Sequence, residues 1–160
     1  MEVSRLMSQP AITVRPETSV SEIARTLLDH DIDGVPVVAA DGRLVGIVTD
    51  SDLVVQNANV HFPTFLQILD ARIYLTSPYH FEEELRRALG TTAEDVMTRH
   101  VWTVNPTDDI SSAATLMVDH GINQIPVVSD GRVVGIITRS DIIRHILAQE
   151  ADTGNSATTR

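Results

Sequence analysis

Two seven-residue stretches hold the side chains best suited to chemistry, "GIVTDSD" at 46–52 and "GIITRSD" at 135–141. In each, a threonine stands three positions before an aspartate: Thr49 with Asp52, and Thr138 with Asp141. One carboxylate can accept hydrogen bonds from both hydroxyls of a vicinal diol, a charge-assisted contact stronger than a neutral one. A threonine hydroxyl beside the free amides of a first helical turn suits a phosphate oxygen. The same spacing has a plainer reading. Thr-x-x-Asp is close to a capping box, so these residues can simply satisfy orphan helix amides, worth about 1 kcal/mol. The two readings are compatible, since the threonine can cap while the aspartate turns to a ligand.

For either role the phrase must sit where a strand gives way to a helix, and the surrounding sequence supplies that corner twice. Met7 falls on Met97, Pro16 on Pro106, Asp29-His30 on Asp119-His120 and Pro36-Val37-Val38 on Pro126-Val127-Val128, all at an offset of 90. After one deletion in a turn, Gly42, Gly46, Thr49 and Asp52 fall on Gly131, Gly135, Thr138 and Asp141 at an offset of 89. Two copies predict a pseudo-twofold pair rather than a solenoid. Each copy reads strand, helix, strand, strand, helix. "AITV" or "VWTV" is a short extended piece, followed by Arg15-Pro16 or Asn105-Pro106, which biases the chain away from helix. Ser19 and Glu22 form a capping-box pattern ahead of Val20, Ile23, Ala24, Leu27 and Leu28 at helical spacing; Ile110, Ala113, Ala114, Met117 and Val118 repeat that register. Asp41-Gly42 and Asp130-Gly131 then lie between β-branched runs, a hairpin signal.

The order and duplication of "TV-x-P", the helix ending in "DH", "hPVV", the turn "DGR" and "G-h-h-T-x-S-D" resemble a tandem pair of cystathionine-β-synthase (CBS) domains, the Bateman module. The resemblance covers roughly residues 3–58 and 93–148. It implies an α/β (α+β) fold of two β-α-β-β-α repeats, packed sheet to sheet about a pseudo-twofold axis, with two clefts for adenosine-containing ligands: AMP, ADP, ATP, S-adenosylmethionine or cyclic dinucleotides. Asp52 and Asp141 match the residue that holds the ribose, and Thr49 and Thr138 the one near the phosphate. An adenine needs a flat apolar slot, which Thr13-Val14 with Val35-Pro36-Val37, or Thr103-Val104 with Ile125-Pro126-Val127, is expected to line. In the family, phosphate-binding cations often stand three residues before the proline of "hPVV" or directly after the threonine. The first copy has Asp33 and Asp50 there and the second Asn123 and Arg139, so the second corner is expected to take a phosphate more readily. His30 and His120 end their helices, where a cation suits the dipole and a phosphate contact is the alternative.

Residues 59–92 are too long and apolar for a plain linker, and hold every Phe and Tyr of the chain. "FPTFLQILDARIYL" and "FEEELRRALG" predict a helical connector that either finishes the core or forms a homodimer surface. The tail at 149–160 is small and polar and is expected to be disordered.

The net charge of −10 disfavours nucleic acid as a partner, and no apolar run reaches the roughly 18 to 20 residues that cross a bilayer. No cysteine is present, which removes disulfides, thiolate catalysis and Cys-ligated metal and fits a reducing compartment. A cytoplasmic location is expected. His61, His80 and His100 make no helical His pair, so no metal site is expected. Neither a P-loop, GxGxxG, Ser-His-Asp nor paired catalytic carboxylates occur, so no catalysis and no catalytic cofactor are expected. Two functions stay open: a regulatory module that senses an adenosine ligand and acts on an unknown client protein, or a structural, protein-interaction module whose clefts are filled by side chains.

Overall fold

The computed structural model describes residues 1–58 and 91–155, so the connector helices expected within 59–90 lie outside the described residues. A 3₁₀ turn at Val3–Arg5 precedes α1 (Val20–His30), β1 (Gly34–Val38), β2 (Leu44–Thr49) and α2 (Asp50–Ala58). After the connector come α3 (Ala93–Val96), α4 (Ile110–His120), β3 (Gln124–Ser129), β4 (Arg132–Thr138) and α5 (Arg139–Asn155). Residues 149–155 therefore continue a helix and are not the expected disordered tail. Ala148, Gln149, Glu150 and Ala151 are good helix formers, which outweighs the small polar residues beyond them.

The helices α1 and α4 begin and end as their sequences dictate. The Ser19 hydroxyl accepts from the Glu22 amide at 3.2 Å and caps α1; the Asp109 carboxylate accepts from the Ser111 amide at 2.9 Å and caps α4. Each ends on a left-handed residue, Asp31 (φ 51°) or Gly121 (φ 64°). Ile23 and Leu27, and Ala113 and Met117, are the buried faces, whereas Leu28 and Val118 point outward with 63% and 75% exposure.

Each pair of strands is an antiparallel hairpin with a bulge at the same place, between Val37 and Val38 or Val127 and Val128. The second turn is a two-residue loop with positive φ at both Asp130 (51°) and Gly131 (77°), the primed geometry that matches strand twist. The expected leading strands shrink to single parallel bridges, Val14 to Val37 and Val104 to Val127. Each is followed at once by a turn, closed by the Thr18 amide on the Arg15 carbonyl (3.1 Å) or the Asp108 amide on the Asn105 carbonyl (3.1 Å).

The two cores are completed by exchanged segments. Val3 is fully buried among Val104, Ala113, Met117, Ile125, Val127 and Ile137 of the second repeat. Ala93 sits correspondingly among Val14, Ile23, Leu27, Val35, Val37 and Val48 of the first. The hydrogen bonds repeat at an offset of 90: the Val3 amide to the Asp108 carbonyl (2.9 Å), and the Ala93 amide to the Thr18 carbonyl (2.8 Å). The exchange continues along the sheet edges, where Ser8 bridges Ile136 and Thr98 bridges Ile47. It also explains the glycine in each seven-residue phrase. A Cβ on Gly135 would lie 2.6 Å from Met7 Sδ, and one on Gly46 would lie 2.5 Å from Met97 Sδ.

The two halves meet at their hairpin turns and at the start of β1 and β3. The Leu44 amide donates to the Gly131 carbonyl at 3.2 Å and the Val133 amide to the Gly42 carbonyl at 3.3 Å. The Gln124 side-chain amide, oriented by its hydrogen bonds, donates to the Gly34 carbonyl (3.3 Å) and accepts from the Gly34 amide (3.0 Å). Among the described residues no helix is long and apolar enough to cross a membrane.

Candidate functional site

At the end of β4, Thr138 becomes the cap of α5 and Asp141 folds back on it. One oxygen of Asp141 accepts from the Thr138 amide (2.8 Å) and hydroxyl (2.7 Å), while the Asp141 amide donates to the Thr138 hydroxyl at 3.2 Å. The reciprocal box is the same at Thr49 and Asp52, at 2.8, 2.8 and 3.4 Å. The capping role therefore holds at both corners. It uses one oxygen of each aspartate and leaves the other for something else. At Asp141, which is 9% exposed, the second oxygen accepts from Arg144 Nη1 at 3.0 Å. The matching position in the first repeat is Val55, and Asp52 has no such partner among the described residues.

The second corner opens on a cavity of about 510 Å³, within the usual range for a small-molecule pocket. Thr138, Arg139, Ser140, Asp141 and Arg144 form one side, with Asn123 and Gln124 from the start of β3. The first half contributes Asp31, Ile32 and Asp33, between α1 and β1, and Gly34 at the start of β1. Pro10, Ala11 and Ile12, with Ile32 and Ile136, supply the apolar surface.

Of the residues expected at this corner, the structure brings Thr138, Arg139 and Asp141 together and leaves out the expected slot. Val104, Ile125, Pro126 and Val127 are buried in the core of the second half, and Thr103 is exposed outside the cavity. The first copy behaves alike: Val14, Val35, Pro36 and Val37 are core and Thr13 is exposed. The physical reason is the segment exchange. "hPVV" is covered by core on one side and neighbouring strand on the other, while residues 8–12 cross to the edge of β4 and become the wall. An internal repeat reveals which residues correspond but not which half they dock on, so Pro10, Ala11 and Ile12 were missed, as was Arg144.

Arg139 also differs from expectation. Its Nε donates to the Ile122 carbonyl at 3.0 Å and its Nη2 to the Met117 carbonyl at 2.9 Å, so it ties down the C-terminal end of α4 instead of waiting for a phosphate. Asp33, counted with the first corner in sequence, lines the second-corner cavity beside Asn123. His120 lies ring to ring with Trp102, centroids 3.9 Å apart at 11°, and His100 meets the same indole edge-on at 5.5 Å. Trp102 occupies the place in the second repeat that Ile12 has in the first.

The CBS domain family profile matches residues 3–56 and 93–148. The chain belongs to the CBS domain family. It is 34% identical over 155 residues to the uncharacterized protein MJ1426 of Methanocaldococcus jannaschii, covering 92% of each chain. It is 28% identical to the chloroplastic CBS domain-containing protein CBSX2 of Arabidopsis thaliana and spans 61% of that protein. Among solved structures, the CBS domain pair of protein MJ0100 in complex with 5'-methylthioadenosine and S-adenosyl-L-methionine superimposes with a TM-score of 0.71 at 29% identity, covering 93% of this chain and 98% of that one. CBSX2 in complex with AMP gives 0.70 at 26% identity, with the same coverage. The α/β architecture of paired CBS repeats is thus that of known structures.

Proposed function

We propose that this CBS pair is a cytoplasmic regulatory module, not an enzyme, that binds an adenosine-containing small molecule in the cleft at Thr138 and Asp141. The candidates are AMP, ADP, ATP, S-adenosylmethionine, 5'-methylthioadenosine or a cyclic dinucleotide. The observation that carries this reading is a cavity whose two sides come from different halves, with a nine-tenths buried carboxylate at its edge. The adenosine ligands of the MJ0100 and CBSX2 structures support it. Asp141 receives the ribose hydroxyls on the oxygen now held by Arg144. Arg144 is three-quarters exposed and returns to water when a diol takes its place on Asp141. The apolar surface of Ala11, Ile12 and Ile136 receives the base. Since both halves contribute, occupancy favours one relative packing of the halves. The effect on a client protein then equals the difference in affinity between packings, typically about 1–3 kcal/mol.

A thermal-shift series tests this. A saturating adenosine ligand at about 100 times Kd stabilises by about 2.7 kcal/mol. For a chain of this size that raises Tm by about 2–4 °C per kcal/mol. Asp141→Ala lowers the starting Tm by loss of the cap and abolishes the ligand-dependent rise. A rise that survives in Asp141→Ala contradicts the assignment of the site.

A second reading is favoured by a separate observation. Leu28 and Val54 in the first half, and Val118, Ile143, Ile146 and Leu147 in the second, are exposed on helices. We propose that these faces pair with a second copy, and that without any adenosine-dependent shift the protein is an interaction module. Sedimentation equilibrium of the wild type and of Val118→Glu/Ile143→Glu distinguishes a dimer from a monomer.

A further inference from the structure

The charges around the cleft carry the reading further. The amides that would cradle a phosphate at the start of α5 are largely used. The Thr138 amide donates to Asp141, the Arg139 amide to the Asn123 carbonyl at 2.9 Å, and the Asp141 amide to Thr138, which leaves the Ser140 amide. Both cations on the wall are committed as well. Arg139 holds two main-chain carbonyls, and Arg144 holds Asp141. Asp31 and Asp33 line the same cavity, and neither carboxylate has a partner among the described residues.

We infer that this cleft selects adenosyl ligands whose 5' substituent is neutral or cationic, such as a thioether or a sulfonium, over those with a phosphate chain. The inference rests on the adenosine-binding reading above and names the ligand class within it. A 5' chain leaving a ribose held at Asp141 runs through a cavity whose lining carries three carboxylates, Asp31, Asp33 and Asp141, against two guanidiniums, Arg139 and Arg144. A phosphate there is repelled, and a sulfonium or ammonium is attracted. Ribose binding at Asp141 leaves the charges of Arg139 and Arg144 in place, and the three carboxylates of the lining outnumber these two cations. Ile32, between the two carboxylates, suits a methylthio group and offers a phosphate no donor side chain.

The test is calorimetric titration of the full chain with adenosine, 5'-methylthioadenosine, S-adenosylmethionine, AMP and ATP, in low salt and without divalent cations. Adenosine and its thioether are expected to bind at least about tenfold more tightly than AMP, with ATP weaker again. In Asp31→Asn/Asp33→Asn the gap between adenosine and AMP closes. Both changes are compatible with the fold, since Asn adopts the left-handed conformation of Asp31 (φ 51°) readily and both residues are exposed. AMP or ATP binding as tightly as adenosine overturns the inference while leaving adenosine binding intact, and so does a gap that the double variant leaves unchanged. Failure of all five compounds to bind overturns the adenosine reading and this inference together.

Discussion

Asp141 divides its two oxygens between the cap of α5 and the Arg144 side chain. Its inner oxygen closes the box with Thr138, while its outer oxygen, on Arg144, faces the cavity. The capping reading of Thr-x-x-Asp was legible in the sequence, and its geometry leaves one oxygen of Asp141 for the proposed ligand. The fate of Arg139 was not legible, because the carbonyls it binds belong to residues 17 and 22 positions away. The glycine of the phrase has a reason that local sequence hides. Gly135 is small because Met7, from the other end of the chain, lies over it, with the Ser8 carbonyl 3.0 Å from the place of a Cβ. Gly135→Ala is therefore expected to destabilise by about 1–3 kcal/mol through overpacking. Met7→Ala in the same chain recovers part of that loss, because the sulfur moves away and the backbone carbonyl stays. Urea denaturation midpoints of the two single variants and the double variant measure this directly, and a neutral Gly135→Ala contradicts the close approach.

The elements themselves were read well where the signal was local. Ser19 and the two Asp-Gly turns mark a helix start and the hairpins by chemistry that acts over two or three residues. The leading strands were overread, since "AITV" and "VWTV" have strand composition but only Val14 and Val104 meet a neighbour before the chain turns. The short helix α3 depends on its cap, being only four residues long. The Thr92 amide and hydroxyl donate to Asp95 at 2.8 and 2.9 Å, and these bonds, the backbone one first, hold the Asp95 carboxyl below its ordinary value of 3.8. A carboxylate with a depressed folded pKa contributes stability above its unfolded pKa, and loses it as pH falls through the folded value. Asp95→Asn should therefore lower Tm at pH 6 and make little difference near pH 2. Equal effects at both pH values contradict the cap as the source.

At the scale of the whole molecule, the offset of 90 made the pseudo-twofold pair visible, yet the exchange of leading segments was hidden. A repeat aligned on itself shows equivalence and is silent on which copy of Val3 or Ala93 fills which core. The same holds for the contact across the axis, where the two copies differ: Gly34 in one faces Gln124 in the other. A Cβ on Gly34 would fall on the Gln124 side-chain amide and lie 2.9 Å from the Val48 carbonyl. Gly34→Ala should cost about 1–3 kcal/mol, and Gln124→Ala in the same chain should recover part of it, a coupling that a double-mutant cycle reads. Because Gly34 and Gln124 also line the cleft, the contact that fixes the halves lies where a ligand would bear on them both. The central claim is that an adenosyl ligand binds at Asp141 between the halves. Its most direct test is calorimetric titration of S-adenosylmethionine into the wild type, Asp141→Asn and Asp52→Asn. Saturable binding that persists in Asp52→Asn and is lost in Asp141→Asn is the predicted result, and binding undiminished in Asp141→Asn would contradict it.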